Sequence, residues 1–332
     1  MDTLYIVTGA AGHLGNVVVR QLVSRGEVRA LALPAERTDG VLPEEVKVVR
    51  GDVRDRASML PLFSDISGRR LVVIHCAGIV TIKSKFDQLV WDVNVTGTQN
   101  VVALCEQFGA SKLVYVRSVH ASSEPPRGEI IRETDRFTDV PLVGLYAKTK
   151  AAATAIVLDA AKRGLDASVV HPSGIIGPYD YGHGHMTQLL LEYLQGRLTA
   201  AIRGGYDFTD VRDVAAGIVA CCDKGQRGEC YILSNRYVSV NEFLDTAHAL
   251  SGHKKITVYL PIWFVKAVAP LCELYYRLRR QTPLFTAYSI YTLGSNSAFS
   301  HEKADRALDY TTRPLTQSLQ DEMDWLKEQG RL

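Results

Sequence analysis

The 332-residue chain is short of the features that would mark it for a special class. Its six cysteines (76, 105, 221, 222, 230 and 272) include no C-x-x-C, and Cys221 and Cys222 are adjacent, a poor geometry for a structural bridge. Such usage reads as reduced thiols, and the expected location is cytoplasmic. There is no Lys/Arg run and the net charge is only +2, so no field invites nucleic acid. No eighteen consecutive apolar residues run free of charge, so no transmembrane segment is expected. The N-terminus carries Asp2 and no basic stretch, so no signal peptide is expected either. Internal repeats and low-complexity segments are lacking. With 46% hydrophobic and 22% charged residues, the composition is that of a globular protein with a substantial core.

What is present begins at once. An apolar strand over residues 3–8 runs into Gly9, Gly12 and Gly15, three glycines at a spacing of three, and an apolar helix over 16–24 follows. Gly9 permits a tight turn, and Gly12 lets backbone N–H groups approach a pyrophosphate. Gly15 lets helix and strand pack closely, with the helix N-terminus facing an anion. A Gly-rich turn between strand and helix reads as a dinucleotide site. A second strand is expected over 28–33. Its end should face the adenosine ribose, where an acid suits NAD and a base suits the extra phosphate of NADP. Leu33-Pro34 supplies neither. The cofactor is therefore NADP or NAD, leaning to NADP because the acid is missing; Arg37 or Arg29 could approach a phosphate, but each reads more readily as a solvated surface residue.

Further apolar runs at 46–49, 71–76, 113–116, 167–171 and 231–234 read as buried parallel strands, with helices between them. The expected fold is α/β, a Rossmann-like doubly wound parallel sheet with a smaller, mostly helical C-terminal lobe. Residues 1–172 and 205–235 are assigned to the dinucleotide domain, and 173–204 and 236–332 to the substrate lobe. Tyr146 and Lys150, four apart, share one face of a helix that follows the fifth strand. His183-Gly184-His185 shows only two ligands and no carboxylate, so no metal is expected. Asp213 is expected to cap a helix over 214–222.

The Gly-x-x-Gly-x-x-Gly turn, Ser118 after the fifth strand and Tyr146-x-x-x-Lys150 together resemble the extended short-chain dehydrogenase/reductases, the NAD-dependent epimerase/dehydratase family. The likeness covers nearly the whole chain. It implies Ser118, Tyr146 and Lys150 as catalytic residues. It implies a cofactor bed of Gly9, Ala11, Gly12, His13, Leu14, Gly15, Leu33, Asp52, Val53, Cys76, Ala77, Gly78 and Pro172, together with Tyr146 and Lys150. Asn94 matches an asparagine that ties its helix to neighbouring strands. A homodimer through the helices near 94–105 and 147–161 is the family habit.

In such a site the Lys150 ammonium favours the phenolate of Tyr146, whose pKa of about 10 would otherwise make it a poor base. Tyr146 then exchanges a proton with an alcohol or alkoxide, and Ser118 donates a hydrogen bond to the same oxygen. The resemblance implies an NAD(P)-dependent oxidoreductase. Dehydratases of the family place Asp-Glu where Val119-His120 stand, and epimerases place an arginine where Tyr206 stands. The pattern is closer to the dihydroflavonol reductase and 3β-hydroxysteroid dehydrogenase group, hence a hydrophobic, flavonoid- or steroid-like small molecule. A nucleotide-sugar epimerase is the alternative enzyme, and a dinucleotide-sensing scaffold protein the alternative without chemistry. Substrate contacts are expected from His120, Tyr179, His183 and Trp263, between the 179–185 loop and the 260–276 segment. The same apolar residues would equally suit a lobe core or an interface, and Lys266, Arg277, Arg279 and Arg280 keep a membrane-surface role open.

Overall fold

The computed structural model describes residues 2–81, 86–119, 128–134, 144–182, 184–265 and 294–332. Seven parallel strands lie in the order β10-β6-β5-β4-β1-β2-β3. They are β1 (Thr3–Thr8), β2 (Glu27–Ala32), β3 (Lys47–Arg50), β4 (Arg70–His75), β5 (Lys112–Val116), β6 (Ala167–Pro172) and β10 (Cys230–Leu233). Short runs of β-branched and small residues with no polar face suit a sheet covered on both sides. On one side lie α1 (His13–Leu22) and α7 (Val211–Lys224), packed together over Val7, Val72, Val114 and Val170. On the other lie α4 (Gly97–Gln107) and α5 (Leu145–Arg163), over Ile6, Val73, Leu113 and Tyr115. Short turns at α2 (Arg56–Met59) and α3 (Gln88–Trp91) complete this half.

The expectation of a doubly wound sheet holds, and the strand ends fall within a residue or two of their predicted places. The second lobe carries short strands beside its helices. A three-stranded sheet, β11-β9-β7, runs through it, built from β7 (Gly174–Ile176), β9 (Gly205–Asp210) and β11 (Arg236–Ser239). A two-stranded pair joins β8 (Ala201–Ile202) and β12 (Tyr259–Leu260). Segment 205–210 pairs with β7 and β11 and hands the chain back to the large sheet through α7. Asp210, not Asp213, caps that helix, its side chain accepting from Arg212 N. Asp213 accepts instead from the backbone N and Nε of Arg313, each at 2.8 Å. A cap of this kind contributes about 1 kcal/mol. The lobe is completed by α6 (His185–Leu194), α8 (Val240–Ser251), α9 (Glu302–Leu308) and α10 (Leu315–Glu328) around a core that includes Phe208, Phe243 and Leu319.

At the seam between the sheets, α10 sends Glu322 inward. One carboxyl oxygen accepts from Gly177 N at 3.1 Å. Burial pushes its pKa up to about 8, with Asp180 and Asp210 adding repulsion. The folded chain therefore holds this proton more tightly than the unfolded one does. Its stability should fall as pH rises from about 4.5 toward 8. Glu322→Gln should melt like the parent near pH 5 and be stabilised by on the order of 2 kcal/mol near pH 8. Melting curves of both chains at the two pH values check this. A constant difference between them refutes the assignment.

Candidate active site

The glycine turn is built as tightly as its spacing suggests. Gly9 has φ +65°, and a Cβ there would lie 2.7 Å from Ala77 Cα. A Cβ on Gly15 would lie 2.0 Å from the Gly9 carbonyl oxygen. α1 starts at His13 with Gly12 as N-cap and no side-chain cap, so the first backbone N–H groups remain for an anion. A bare helix start behind a turn with no room for side chains fits a dinucleotide pyrophosphate. His13 Nε2–H donates to the Pro178 carbonyl at 3.0 Å, and burial lowers the pKa of its ring.

The end of β4 lies beside this turn. Cys76 N donates to Thr8 O at 3.1 Å and Ala77 N to Thr8 Oγ1 at 3.3 Å. His75 bridges Thr8 Oγ1 (2.7 Å) and Thr98 Oγ1 (3.0 Å), and burial drives its pKa down to about 3, so the ring is neutral. Val53 is buried against Gly97, while the Asp52 carboxylate is held by Arg54 at 2.6 Å. Pro172, last in β6, pairs with Leu233.

The helical path over residues 92–96 widens into a π-turn, Asp92–Thr96, that turns Asn94 inward. Its Oδ1 accepts from Ile79 N at 2.8 Å, and its Nδ2 donates to Ile79 O (3.1 Å) and Thr149 Oγ1 (3.0 Å). Asn94 thereby ties the chain beyond β4 to α5, the helix that carries Tyr146 and Lys150. Both side chains are buried, as is Ser118 just past β5. Lys150 Nζ donates to Val116 O at 3.0 Å and lies 5.1 Å above the Tyr115 ring. A Cβ on Gly78 would come within 3.0 Å of that ammonium, a tight approach. Burial, aided by Arg117 and opposed by Cys76, brings the Lys150 pKa down to about 8.

The corner after β2, where the ribose is expected, holds two groups that sequence reasoning missed. Leu33 is exposed, and its N–H donates to Glu36 Oε2 at 2.9 Å while its carbonyl accepts from Glu36 N at 3.0 Å. Arg50 donates to Leu33 O at 3.1 Å and to Thr38 Oγ1 at 2.8 Å. Pro34 at the second position of this turn was the available signal for Glu36. Arg50 comes from the neighbouring strand and had none. Arg37 is turned to Asp39 O, and Arg29 lies buried against the carbonyls of Leu62 and Ser64.

Of the substrate candidates, His120 and His183 lie outside the described residues, as does most of the 260–276 segment. Tyr179 sits at the seam, with φ +72°, Arg20 4.9 Å above its ring and the Trp325 ring 6.1 Å away. Its carbonyl accepts from Asn16 Nδ2 at 3.0 Å. Trp263 is 71% exposed and meets Phe264 edge-on at 5.9 Å. Among the described residues no cluster of three or more His, Cys, Asp or Glu side chains suits a metal, and no helix is long and apolar enough to cross a membrane.

Residues 5–234 match the description "NAD dependent epimerase/dehydratase family". The chain belongs to that family. Across 98% of its length and 99% of the relative's it is 30% identical to sterol demethylase protein B of Methylococcus capsulatus. It is 25% identical, over 93% of each chain, to sterol-4-alpha-carboxylate 3-dehydrogenase erg26, decarboxylating, of Schizosaccharomyces pombe. Among solved structures it is similar to UDP-glucose 4-epimerase of Thermotoga maritima with UDP-glucose. The TM-score is 0.79 at 18% identity over 98% and 99% of the two chains, a likeness of fold. The epimerase/dehydratases are NAD-dependent enzymes, so the expectation of an enzyme with a nicotinamide cofactor stands.

Proposed function

We propose that the protein is an NAD(P)-dependent oxidoreductase acting on a carbonyl or secondary alcohol of a hydrophobic ring molecule of sterol-like class. The observation that supports this reading is the Lys150 ammonium of α5 donating to Val116 O at the end of β5, two residues before Ser118, with Tyr146 one turn earlier on the same helix. The names of the sterol relatives point the same way. When bound, the nicotinamide supplies the hydride chemistry. The chain supplies the rest. The first N–H groups of α1 hold the pyrophosphate, and the Lys150 ammonium sits where it can bond a ribose hydroxyl. Tyr146 moves the proton at the substrate oxygen, which Ser118 steadies by a hydrogen bond. Residues 1–172 and 205–235 serve the cofactor and the remainder the substrate, in a cytoplasmic homodimer.

A panel of sterol-like ketones and alcohols, followed by nicotinamide absorbance, tests the reading beside UDP-glucose, whose redox-neutral epimerisation is followed by chromatography of the sugar nucleotide. Turnover with the sugar nucleotide alone would favour the epimerase instead.

At the ribose corner the Glu36 carboxylate opposes a 2′-phosphate and the Arg50 guanidinium attracts one. NAD and NADP should therefore bind within about tenfold of each other, some 1.4 kcal/mol. Glu36→Gln should move the ratio toward NADP by about tenfold, as read by titration with both cofactors. An unmoved ratio would remove Glu36 from the corner.

A further inference from the structure

Directly before Ser118 stands an arginine with no role in the reading above. Arg117 extends the β5 ladder, its N–H donating to Val170 O at 2.9 Å. Side chains alternate along the strand, so Arg117 shares the face of Leu113 and Tyr115, the one that α5 covers. Its side chain is buried beneath the helix that carries Tyr146 and Lys150. Nη1 donates to His171 Nδ1 at 2.9 Å, which fixes that nitrogen as the acceptor. Burial, then the charges of Arg117 and Lys303, hold His171 neutral. An uncharged imidazole thus orients the guanidinium without cancelling its charge.

The groups facing Arg117 come from every element around it. Tyr115 stands on its own strand, Tyr146 and Lys150 on α5, Cys230 on β10, and Cys76 beyond β4 faces Lys150. Glu133 and Lys303 flank Cys230, with Lys303 paired to Glu229 at 2.6 Å. Both thiols are pushed up to about 12 by burial and stay protonated. Arg117 itself comes down to about 10 through burial and remains charged at neutral pH. Two cations, Lys150 and Arg117, therefore lie on the side of the sheet from which Tyr146 is served.

We propose that Arg117, anchored by His171, is a positioning residue that acts through Tyr146 and Lys150 and sets the pH range in which Tyr146 exchanges its proton. The idea rests on Tyr146 as the proton-transfer group. A positive charge in a low-dielectric layer favours phenolate and disfavours a second ammonium. Removing it raises both pKa values, so both limbs of the activity profile move to higher pH. Damage to packing alone has no such signature.

The test uses the full chain and a pH titration of tyrosinate absorbance, with the corresponding Tyr146→Phe chain subtracted to isolate that one phenol. Arg117→Gln keeps a donor for His171 and removes the charge. Its Tyr146 midpoint should rise by about one pH unit or more, a tenfold loss of phenolate at any pH below it. Arg117→Lys keeps the charge and should return the midpoint to within about half a unit of the parent. A parental midpoint in Arg117→Gln overturns the proposal, and so does an equal rise in both variants. Should Arg117→Gln not fold, Arg117→Met in its place is read by the same criterion. The readout needs no substrate. Full turnover in Tyr146→Phe would sink the proposed function and leave this titration interpretable.

Discussion

Tyr146→Phe should lower turnover at least a hundredfold, on the order of 3 kcal/mol in the barrier, and leave cofactor affinity nearly unchanged. The substitution removes one hydroxyl from a residue at the first turn of α5 and alters no helix-forming property. Lys150 is held by Val116 O, and Thr149 Oγ1 donates to the Tyr146 carbonyl at 2.9 Å. A loss confined to kcat, with the cofactor constant within about twofold, is what removal of a group acting only in the transition state looks like. Near-parental turnover would dismiss the catalytic assignment. A collapsed melting temperature would show that the hydroxyl had been structural.

Gly15→Ala should be the most damaging glycine-to-alanine change among the described residues. The new Cβ would stand 2.0 Å from the Gly9 carbonyl oxygen and 2.9 Å from Ala10 Cα, against backbone that no side-chain rotation can relieve. Either α1 shifts away from β1 or the turn at Gly9 opens, and both take the helix start out of line with the strand ends. Overpacking of this kind costs about 1–3 kcal/mol of stability, and the misplaced N–H groups should weaken dinucleotide binding by tenfold or more. Calorimetric titration with the cofactor, paired with a melting curve, reads both. The comparison substitution is Gly12→Ala, whose Cβ meets only the Gly9 carbonyl oxygen, at 3.3 Å. Affinity should fall there with little change in melting. If Gly15→Ala behaves like Gly12→Ala, the close approach of helix to strand is not what the third glycine serves.

The turn, the strands and the Tyr-Lys pair were legible because each is a local pattern: a spacing of glycines, an apolar run, two residues four apart. Groups brought in from a distance were not. Arg50 reaches the corner after β2 from the next strand, and Glu36 reaches it by folding back through a proline turn. Arg117 and His171 are 54 residues apart and meet only because β5 and β6 are neighbours. Asp210 displaced Asp213 as the cap because the helix begins earlier than its apolar pattern does. The strands β7 and β11 were missed because neither is an apolar run like those of the large sheet: β7 is only Gly174–Ile176, and β11 reads Arg-Tyr-Val-Ser. Tyr179, expected to face substrate, lies at the seam beside Arg20 and Trp325.

The order of strands in the large sheet also bears on how the chain is made. β5 and β6 pair as soon as residue 172 is available, but the outer edge of β6 is closed only by β10, which ends at residue 233. A ribosome adding about 5–20 residues per second needs several seconds to cover that interval. Through it the backbone of a hydrophobic strand is presented with no partner of its own chain, the arrangement most prone to pair with another molecule. The small lobe's β7 and β9 are synthesised inside this same interval. Yield on expression should therefore depend on how fast the ribosome passes from residue 173 to 233, and slow codons there should favour aggregates over native protein.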